Sequence, residues 1–540
     1  MKYIFSFIFY FFIIVAQSQN PYFEISKQME IYNDVLLKLS TNYIDELNMG
    51  DLMQKNTKQL LNGLDRFTTF YDEQSILNQK MRQEGHFGGL GIKIRPMDKA
   101  IIITDILPGT PAERELKIGD HIVAIDGKKM ADLSKKVAVN LLNGPAGSKV
   151  TLTIKRHGKE IKKSMHRADV ALNAVTGQYL DGDIGYIQLA KFNAKAAQQV
   201  KKSLLALKQK GAKKLIIDLR NNPGGLLFEV IKIVNFFIPQ GKIVVTTKGR
   251  FDKYNKTYRT RNPSVDEEIP IVILVNNHSA SASEILSGSL QDYDRAVVMG
   301  DTTYGKGLVQ RTFKLKYGTY MKQTISKYYI PSGRLIQKID YWHRDKNGKP
   351  LLMRNNLAEK DYKTAHGRIV HNLGGVVPDI VLKSFPNHAA LKDLINKGIL
   401  FDFVTDWIDK QNRVPKNMAA VHLTDADFEQ FMQYLDKNNQ KPQTSDQKLL
   451  KSAYQKAKKN KQPAKILNQY QKLMAAYDVY NIQSIRNYKQ FILNTLQQDI
   501  VNRYFGKDSL IKYRLKTDPL LLKAKAILNK PETYHQILKN

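Results

Sequence analysis

The 540-residue sequence contains no cysteine. This absence excludes disulfide bonds, thiolate zinc sites, a cysteine nucleophile and a lipid-modified cysteine behind a signal sequence. Several kinds of catalytic and structural site are therefore removed before any motif is considered. The absence does not fix the redox compartment, because exported bacterial proteins often lack disulfides as well.

Long hydrophobic runs are missing outside the N-terminus. Residues 1–18 have the composition of a secretory signal: Lys2 supplies a positive start, residues 3–16 are apolar, and residues 16–18 form a small-x-small cleavage site. We therefore expect cleavage before Gln19 and an exported protein, periplasmic or extracellular, of a bacterial cell envelope. The apolar run is shorter than the roughly 20 residues of a membrane span, but an uncleaved membrane anchor remains the alternative.

Acidic residues are scarce relative to basic ones, with 50 Asp and Glu against 84 Lys and Arg and a formal net charge of +34. Such an excess favours nucleic acid or an anionic membrane surface as a partner. The basic residues are spread along the chain, however, and no segment carries the signature of a nucleic-acid-binding fold. We therefore expect no nucleic-acid partner, while association with a membrane surface stays open.

A chain of this length exceeds what one hydrophobic core usually organises, so we expect several domains. Helical periodicity runs through residues 19–85 and returns in residues 386–540, which contain no catalytic motif. Between them, residues 86–168 show short strands separated by Gly and Pro turns, and residues 169–385 alternate strands with helices. The sequence thus predicts a multidomain α/β protein with a β-rich insertion and an all-α C-terminal region.

The β-rich segment resembles a PDZ domain over residues 86–168. The motif GLGI at 89–92 precedes a predicted strand, LPGTPA at 107–112 begins a helix, and GDHI follows at 119–122. In such a domain the N–H groups of the glycine-rich loop hold a peptide carboxylate while the adjacent strand edge pairs with the peptide. The resemblance implies substrate binding by Gly89, Leu90, Gly91 and Ile92. A β domain with turn glycines and no ligand is the alternative.

A candidate nucleophile, Ser281, follows the predicted strand at residues 271–275. It lies at the carboxyl end of that strand and at the start of a helical run, where free N–H groups favour developing negative charge. However, Ser281 and Glu284 also match a capping box, in which the serine only caps the helix. On this segment alone the two interpretations are equally open.

A serine nucleophile needs a base. His278 is close in sequence, but its position three residues upstream across a turn gives no assurance that its ring reaches the serine. Lys306 is the better candidate, because flanking glycines allow close approach and residues 302–314 contain no acidic residue that would hold the ammonium charged. A phosphate-binding loop is excluded, because Gly307 stands where Ser or Thr is required. Gln310, four residues beyond Lys306, would share its face on a helix or a strand and could orient the amine.

Taken together, the motifs closely resemble the C-terminal processing peptidases, also called tail-specific proteases. The resemblance spans about residues 30–385. The principal motifs are LRNNPGG at 219–225, SASASEI at 279–285, LQD at 290–292, GKGLVQ at 305–310, YIPSGR at 329–334 and GVVPD at 375–379. The resemblance implies a serine endopeptidase that cleaves proteins near their C-termini, with a crotonase/ClpP-like α/β core and without metal or other cofactor.

The same resemblance assigns roles to individual residues. It implies Ser281 as the nucleophile, Lys306 as the general base, Gln310 as the residue that positions the lysine, and the N–H groups of Gly225 and Ala282 as the oxyanion hole. The partners would be proteins or peptides with free C-termini, which the PDZ domain would bind. One motif departs from the family pattern: residues 64–68 read LDRFT where LDPHS is familiar, which leaves the role of that loop open.

A different kind of protein could share these folds: a catalytically inactive PDZ scaffold or adaptor of the cell envelope. Such a protein would keep the PDZ loop without needing a nucleophile and base. The joint presence of Ser281, Lys306 and Gln310 argues against it.

Overall fold

The computed structural model describes residues 21–97, 99–353, 360–372, 374–382, 386, 388–411 and 414–539. The predicted signal sequence lies outside these residues. The chain divides into two compact units, one comprising Met1–Glu73 with Gln310–Thr324 and the other Gln74–Val309 with Ile325–Asn540. In the described part of the chain, no helix combines the length and the apolar character needed to cross a membrane.

The first unit begins with the predicted helices, α1 (Pro21–Asn42) and α2 (Met49–Asn62), followed by strand β1 (Thr69–Tyr71). The Asn48 side chain caps α2 by accepting from the Asp51 N–H. The helical period of the sequence is confirmed. Many apolar side chains of α1, such as Phe23 and Val35, are exposed.

Residues 74–171 form a helix and the PDZ-like sheet. The elements are α3 (Glu73–Glu84), β2 (His86–Gly89), β3 (Ile92–Pro96), β4 (Ile101–Ile106), α4 (Pro111–Glu115), β5 (His121–Ile125), β6 (Lys128–Lys129), α5 (Lys135–Leu142), β7 (Lys149–Arg156), β8 (Lys159–His166) and β9 (Ala168–Ala171). The sheet order is β3-β4-β5-β7-β8, with β6 beside β5, and β2 pairs with β9. Strand β3 is therefore at the edge of its sheet.

A 3-10 turn, Met130–Asp132, precedes α5, which starts only after Ser134, whose side chain accepts from the Val137 N–H at 3.3 Å. A serine that caps the first turn in this way ends the preceding segment.

The described residues between 175 and 381 alternate strands and helices as predicted. Their elements are β10 (Val175–Asp181), β11 (Ile184–Leu189), α6 (Ala196–Gln209), β12 (Lys214–Asp218), α7 (Leu227–Asn235), β13 (Ile243–Gly249), β14 (Lys256–Arg259), β15 (Ile271–Val275), α8 (Ala282–Asp292), β16 (Val297–Gly300), β17 (Leu308–Lys314), β18 (Tyr320–Tyr329), β19 (Ile339–Arg344), β20 (Pro350–Leu352), β21 (Asp361–Lys363), β22 (Ile369–His371) and β23 (Ile380–Val381). The central sheet has the order β10-β11-β12-β15-β16-β23, and all its pairs except β10–β11 are parallel.

Side chains of the central strands alternate between two buried faces, as period-2 geometry requires. Ile217 and Ile273 pack with helices α6 to α8 on one face, whereas Ile216 and Val272 belong to a separate apolar cluster on the other. A second antiparallel sheet in the same unit pairs β13 with β14 and with the last residues of β18. In the first unit, β1 pairs with the first residues of β18.

The C-terminal region is helical, as predicted. Its helices are α9 (Ala389–Lys397), α10 (Ile399–Lys410), α11 (Asp425–Lys437), α12 (Ser445–Lys459), α13 (Ala464–Asn487), α14 (Lys489–Thr517), α15 (Pro519–Leu528) and α16 (Pro531–Ile537). Helices α9 to α11 and the first part of α14 enclose their own core around Phe403, Phe431 and Leu496. Gly506, with φ of +76°, kinks α14. Beyond this kink, residues 511–538 pack on the second face of the central sheet.

Candidate active site

The predicted catalytic residues follow three neighbouring parallel strands. Strands β12, β15 and β16 lie side by side in the sheet, and the loops after them carry Gly225, Ser281 and Lys306 respectively. Because the carboxyl ends of parallel strands meet at one edge of a sheet, the three loops lie together. This is the edge at which open α/β sheets form their sites.

Ser281 occupies a strained backbone position between β15 and α8. Its φ of +56° and ψ of −112° are unusual for a residue other than glycine, and such strain persists only where the surroundings impose it. The capping-box arrangement with Glu284 is present, but the serine hydroxyl makes no hydrogen bond of good geometry to the first turn. The strained turn places the Ser281 hydroxyl at the start of a helix, within this capping-box arrangement.

Glu284 joins the backbones of the two predicted catalytic residues. Its Oε2 accepts from the N–H of Ser281 at 2.7 Å and from the N–H of Lys306 at 2.9 Å. Its Oε1 accepts from the Gly305 N–H at 2.7 Å and the Thr303 hydroxyl at 2.6 Å. Burial raises the pKa of this fully buried carboxyl, while the four hydrogen bonds oppose the rise. The carboxylate therefore ties the nucleophile loop to the lysine loop.

Tyr328 makes a second bridge between the same two residues. Its buried hydroxyl lies 2.6 Å from the carbonyl oxygen of Lys306 and 3.2 Å from that of Ser281. Burial and the nearby Glu284 carboxylate raise the pKa of the phenol, which keeps it a proton donor. Ser281 and Lys306 are thus held through their N–H groups by one side chain and through their carbonyl groups by another.

The glycine loop after β12 packs directly against the nucleophile turn. A Cβ on Gly224 would lie 2.5 Å from the carbonyl oxygen of Ala280 and 2.9 Å from Cβ of Ser281. A Cβ on Gly225, whose φ is +153°, would lie 2.1 Å from the carbonyl oxygen of Phe192. Only glycine fits this close approach. Among the described residues, the N–H groups of Gly225 and Ala282 have no acceptor.

Asn222 fastens the same loop at several points. Its side chain donates to the Leu189 carbonyl at 2.7 Å and accepts from the Gly224 N–H at 2.9 Å. Its own carbonyl accepts from the Ala280 N–H at 3.0 Å and the Ser283 hydroxyl at 2.9 Å. The Ser283 hydroxyl is therefore used in a structural hydrogen bond. In this respect Ser283 differs from the neighbouring Ser281.

Lys306 is half-buried between two glycines that allow close packing. A Cβ on Gly305 would lie 2.5 Å from Cβ of Lys338, and one on Gly307 would lie 2.9 Å from the backbone nitrogen of Gln337. The sequence offered no acidic residue near Lys306, yet Glu284 reaches its backbone from 22 positions upstream. A window along the chain could not reveal this carboxylate, because the contact is made in three dimensions.

The sequence argument for Gln310 needs correction. It required Lys306 and Gln310 on one helix or strand, but β17 begins at Leu308, so Lys306 lies in the loop before it. The spacing of four residues therefore does not by itself align the two side chains. The role of Gln310 stays a prediction.

Within the first unit, Gln310 belongs to a hydrogen-bonded chain. Its amide donates to the Thr324 hydroxyl at 3.3 Å, and the Thr324 N–H donates to the Thr68 hydroxyl at 3.1 Å. Thr68 in turn donates to Asp65 at 2.8 Å. The segment LDRFT, which departs from the family pattern, therefore supports the residue that bonds Gln310.

His278 is exposed and faces a different space. It lines a cavity of about 810 Å³ together with Arg220, Arg514 and Asp518, to which Ser281 does not contribute. This cavity lies between the loop of His278 and side chains of the C-terminal helices. The choice between Lys306 and His278 as the base stays a prediction.

The predicted peptide-binding loop lies between β2 and β3. Gly91 has a φ of +81°, and a Cβ there would lie 2.2 Å from the Thr110 hydroxyl oxygen. Next to the loop is a groove of about 260 Å³ lined by Leu90, Ile92 and Ile94 on one side and by Val139 and Leu142 of α5 on the other. An apolar groove beside an open strand edge suits an extended peptide.

The motifs LQD, YIPSGR and GVVPD contribute side chains to a buried structural network. The Gln291 amide donates to the Val377 carbonyl at 2.9 Å and its oxygen accepts from Arg334 at 2.7 Å. Arg334 also pairs with Asp292 at 2.8 Å, both side chains being fully buried. This network fixes the end of α8, the helix that begins at the nucleophile.

Sequence reasoning missed Tyr328 and the wider role of Glu284. Glu284 was visible only as a capping residue, and Tyr328 directly precedes the YIPSGR motif without a recognisable spacing of its own. The available signal was that Glu284 is the one charged residue of its helical run before Asp292, since a buried carboxylate must find hydrogen-bond donors.

Comparison with known sequence families supports the division of the chain into a PDZ domain, a peptidase region and a helical C-terminal region. The profile described as PDZ domain matches residues 79–155, that of Peptidase family S41 matches residues 183–341, and that of a probable PDZ-protease C-terminal helical domain matches residues 390–528. The fold and these matches define a serine-type peptidase with a PDZ domain and a helical C-terminal domain.

Individual relatives indicate which family of serine peptidases the chain belongs to. A carboxy-terminal-processing protease of Bartonella bacilliformis is 33% identical over 340 residues, covering 61% of this chain and 77% of the relative. A carboxyl-terminal-processing protease of Synechocystis sp. is 36% identical over 307 residues, covering 55% and 71%. A solved photosystem II D1 C-terminal processing protease is 23% identical with a TM-score of 0.37, covering 65% of this chain and 92% of that one. The chain belongs to the family of carboxy-terminal-processing proteases, and the predicted serine peptidase activity is thereby confirmed.

Proposed function

We propose that the C-terminal processing activity of this chain is carried by a Ser281–Lys306 dyad. The observation that carries the proposal is the double bridge, in which Glu284 and Tyr328 each bond the backbones of both residues. A nucleophile and its base must keep one fixed geometry, and two independent bridges serve that purpose.

In the proposed reaction the Ser281 hydroxyl attacks the scissile carbonyl and the neutral Lys306 amine takes its proton. The resulting Lys306 ammonium then protonates the leaving amine as the tetrahedral intermediate collapses to an acyl-enzyme. Lys306 then takes a proton from a water molecule that attacks the ester. As this second tetrahedral intermediate collapses, Lys306 returns the proton to the Ser281 oxygen and the new C-terminus is released. The strained Ser281 turn favours attack by presenting the hydroxyl.

The oxyanion would be held by the N–H groups of Gly225 and Ala282. Both lack an acceptor among the described residues, and the glycine loop packs on the turn that carries Ser281. In serine proteases the loss of one such donor costs about 3 to 4 kcal/mol of transition-state stabilisation. Gln310 would orient the Lys306 amine, supported through Thr324 and Thr68.

The PDZ groove would select the substrate by its C-terminus. A peptide would add a strand to the free edge of β3, with its carboxylate on the loop of Gly89, Leu90, Gly91 and Ile92. We further propose the domain bounds 19–85, 86–168, 169–385 and 386–540, and a crotonase/ClpP-like core. The chain would act after export, once residues 1–18 are removed.

The test uses an unfolded protein with an apolar free C-terminus and mass spectrometry of the products. We expect the wild type to release fragments from the C-terminal side, and both Ser281→Ala and Lys306→Met to release none while remaining folded. Lys314→Met, an exposed lysine on β17, is the matched control and should cleave normally. Substantial proteolysis by purified Ser281→Ala would contradict the proposal.

A further inference from the structure

Two cationic side chains line the PDZ groove. Arg82 of α3 and Lys191, which follows β11 of the peptidase region, both line the cavity together with Phe87 and Leu90. No carboxylate side chain lines it among the described residues. The groove thus combines apolar walls with two cationic side chains.

Among the residues that the structure describes, these cations have no anionic partner. In the described part of the chain neither Arg82 nor Lys191 forms an ion pair or donates a side-chain hydrogen bond. Lys191 is half-buried, and both burial and the nearby guanidinium of Arg82 lower the pKa of its ammonium. Arg82 is exposed, and two like charges close together are unfavourable until an anion joins them.

The position of Lys191 is fixed by its neighbours. The Ala190 N–H donates to the Ala174 carbonyl at 2.8 Å, and the Phe192 N–H donates to the Gly224 carbonyl at 3.0 Å. The backbone on both sides of Lys191 is therefore part of the peptidase region. Its side chain brings a charge from that region into the peptide groove.

The shape and charge of the groove define the ligand. The walls accept an apolar side chain, the edge of β3 accepts an extended backbone, and the two cations accept a negative charge. An extended peptide whose last residue is apolar and whose α-carboxylate is free meets all three conditions. An internal peptide segment lacks the charge.

We propose that Lys191 and Arg82 bind the α-carboxylate of the substrate, so that the peptidase region itself contributes to recognition of the C-terminus in the PDZ groove. This inference rests on the proposed role of the groove in substrate capture. It extends the carboxylate site beyond the backbone N–H groups of the PDZ loop. Charge-assisted hydrogen bonds to both cations would then make the affinity for a peptide with a free C-terminal carboxylate higher than the affinity for one with an uncharged end.

The experiment measures peptide binding to the full chain carrying Ser281→Ala, which prevents cleavage. A fluorescent peptide with an apolar last residue is titrated as the free acid and as the C-terminal amide, and Kd is obtained by anisotropy. In this parent the acid should bind more tightly than the amide. Adding Lys191→Met should weaken the acid about tenfold, equivalent to about 1.4 kcal/mol, and change the amide less than about twofold.

The controls separate the possible failures. Lys195→Met, an exposed lysine just beyond the groove, should leave both affinities unchanged, and Arg82→Met should repeat the selective loss. Equal weakening of acid and amide, or no weakening by either groove variant, would overturn the role of the cations while leaving groove capture intact. Failure of the parent to bind either peptide would overturn groove capture itself.

Discussion

At the scale of single residues, Glu284 is the side chain on which the predicted dyad depends. Its carboxylate accepts four hydrogen bonds, one of them from Ser281 and one from Lys306. In Glu284→Gln one accepting oxygen is replaced by an NH₂ group, which cannot accept a hydrogen bond from the N–H or O–H donors that face it. We expect kcat to fall at least about tenfold and the free energy of unfolding to fall by about 1 to 3 kcal/mol.

Steady-state cleavage of a tailed peptide and urea unfolding measure the two effects. Glu532→Gln, an exposed residue at the start of α16, is the control and should change neither. Normal turnover in a folded Glu284→Gln protein would show that the bridge does not position the dyad.

The raised pKa of Glu284 predicts a pH dependence of stability. Because the folded state binds this proton more tightly than the unfolded state, the wild type should lose stability relative to Glu284→Gln as pH rises from the ordinary value of 4.5 through the raised pKa. Other titrating groups are common to both proteins and cancel. Urea unfolding of the pair at several pH values tests this, and a difference that stays flat or grows with pH would contradict it.

Tyr328 offers a milder test of the second bridge. Tyr328→Phe removes only the hydroxyl that bonds the carbonyl groups of Lys306 and Ser281. We expect a loss of about 0.5 to 1.5 kcal/mol in unfolding free energy and a decrease in kcat larger than any change in KM. Tyr329→Phe, at the next position of the same strand, should behave as wild type, and identical kinetics in both variants would remove Tyr328 from the positioning set.

At the scale of elements, a C-terminal helix holds the start of the glycine loop. Asp518, which caps α15, accepts from Arg220 at 2.6 Å, and Arg220 also pairs with Asp218 at the end of β12. Arg220 and Asp518 are largely buried, so screening by solvent is weak. The helical domain thus reaches to within a few residues of Gly225.

A double-mutant cycle measures this connection. Combining Arg220→Met with Asp518→Asn should give an interaction free energy of about 1 to 3 kcal/mol in urea unfolding. The exposed pair of Arg486 and Glu429 is the comparison, and Glu429→Gln should leave Tm unchanged. Strictly additive effects of the Arg220 and Asp518 substitutions would mean that the helix does not stabilise the loop.

At the scale of the whole molecule, the C-terminal helices cover one face of the central sheet of the peptidase region. Leu520, Leu521 and Ile527 pack with Ile216 and Val272 on the sheet face opposite α6 to α8. A parallel sheet needs cover on both faces. The C-terminal domain is therefore part of the peptidase core as well as a domain with its own core.

Neighbouring leucines on α15 test this layer. Leu521 is fully buried and Leu522 is 42% exposed. Leu521→Ala should cost about 2 to 5 kcal/mol in urea unfolding, whereas Leu522→Ala should stay within about 0.5 kcal/mol of wild type. Equal and small effects would show that α15 contributes no essential cover.

The sequence predicted much of this arrangement because local signals sufficed. Glycine-rich turns and alternating strands marked the PDZ region, and Ser281 and Lys306 stood in long motifs at strand ends. It could not predict that α15 covers the sheet, because an amphipathic pattern shows which face is apolar without naming what covers it. Nor could it predict the reach of Glu284 or Asp518, since their partners are distant along the chain.

The cover supplied by residues 511–538 also bears on biosynthesis. Translation proceeds from the N-terminus, so the strands that precede Gly225, Ser281 and Lys306 are made long before the helices that complete their sheet. Until those helices are made, one apolar face of the sheet lacks its cover. A nascent chain that has not yet reached residue 511 should therefore be unable to cleave proteins.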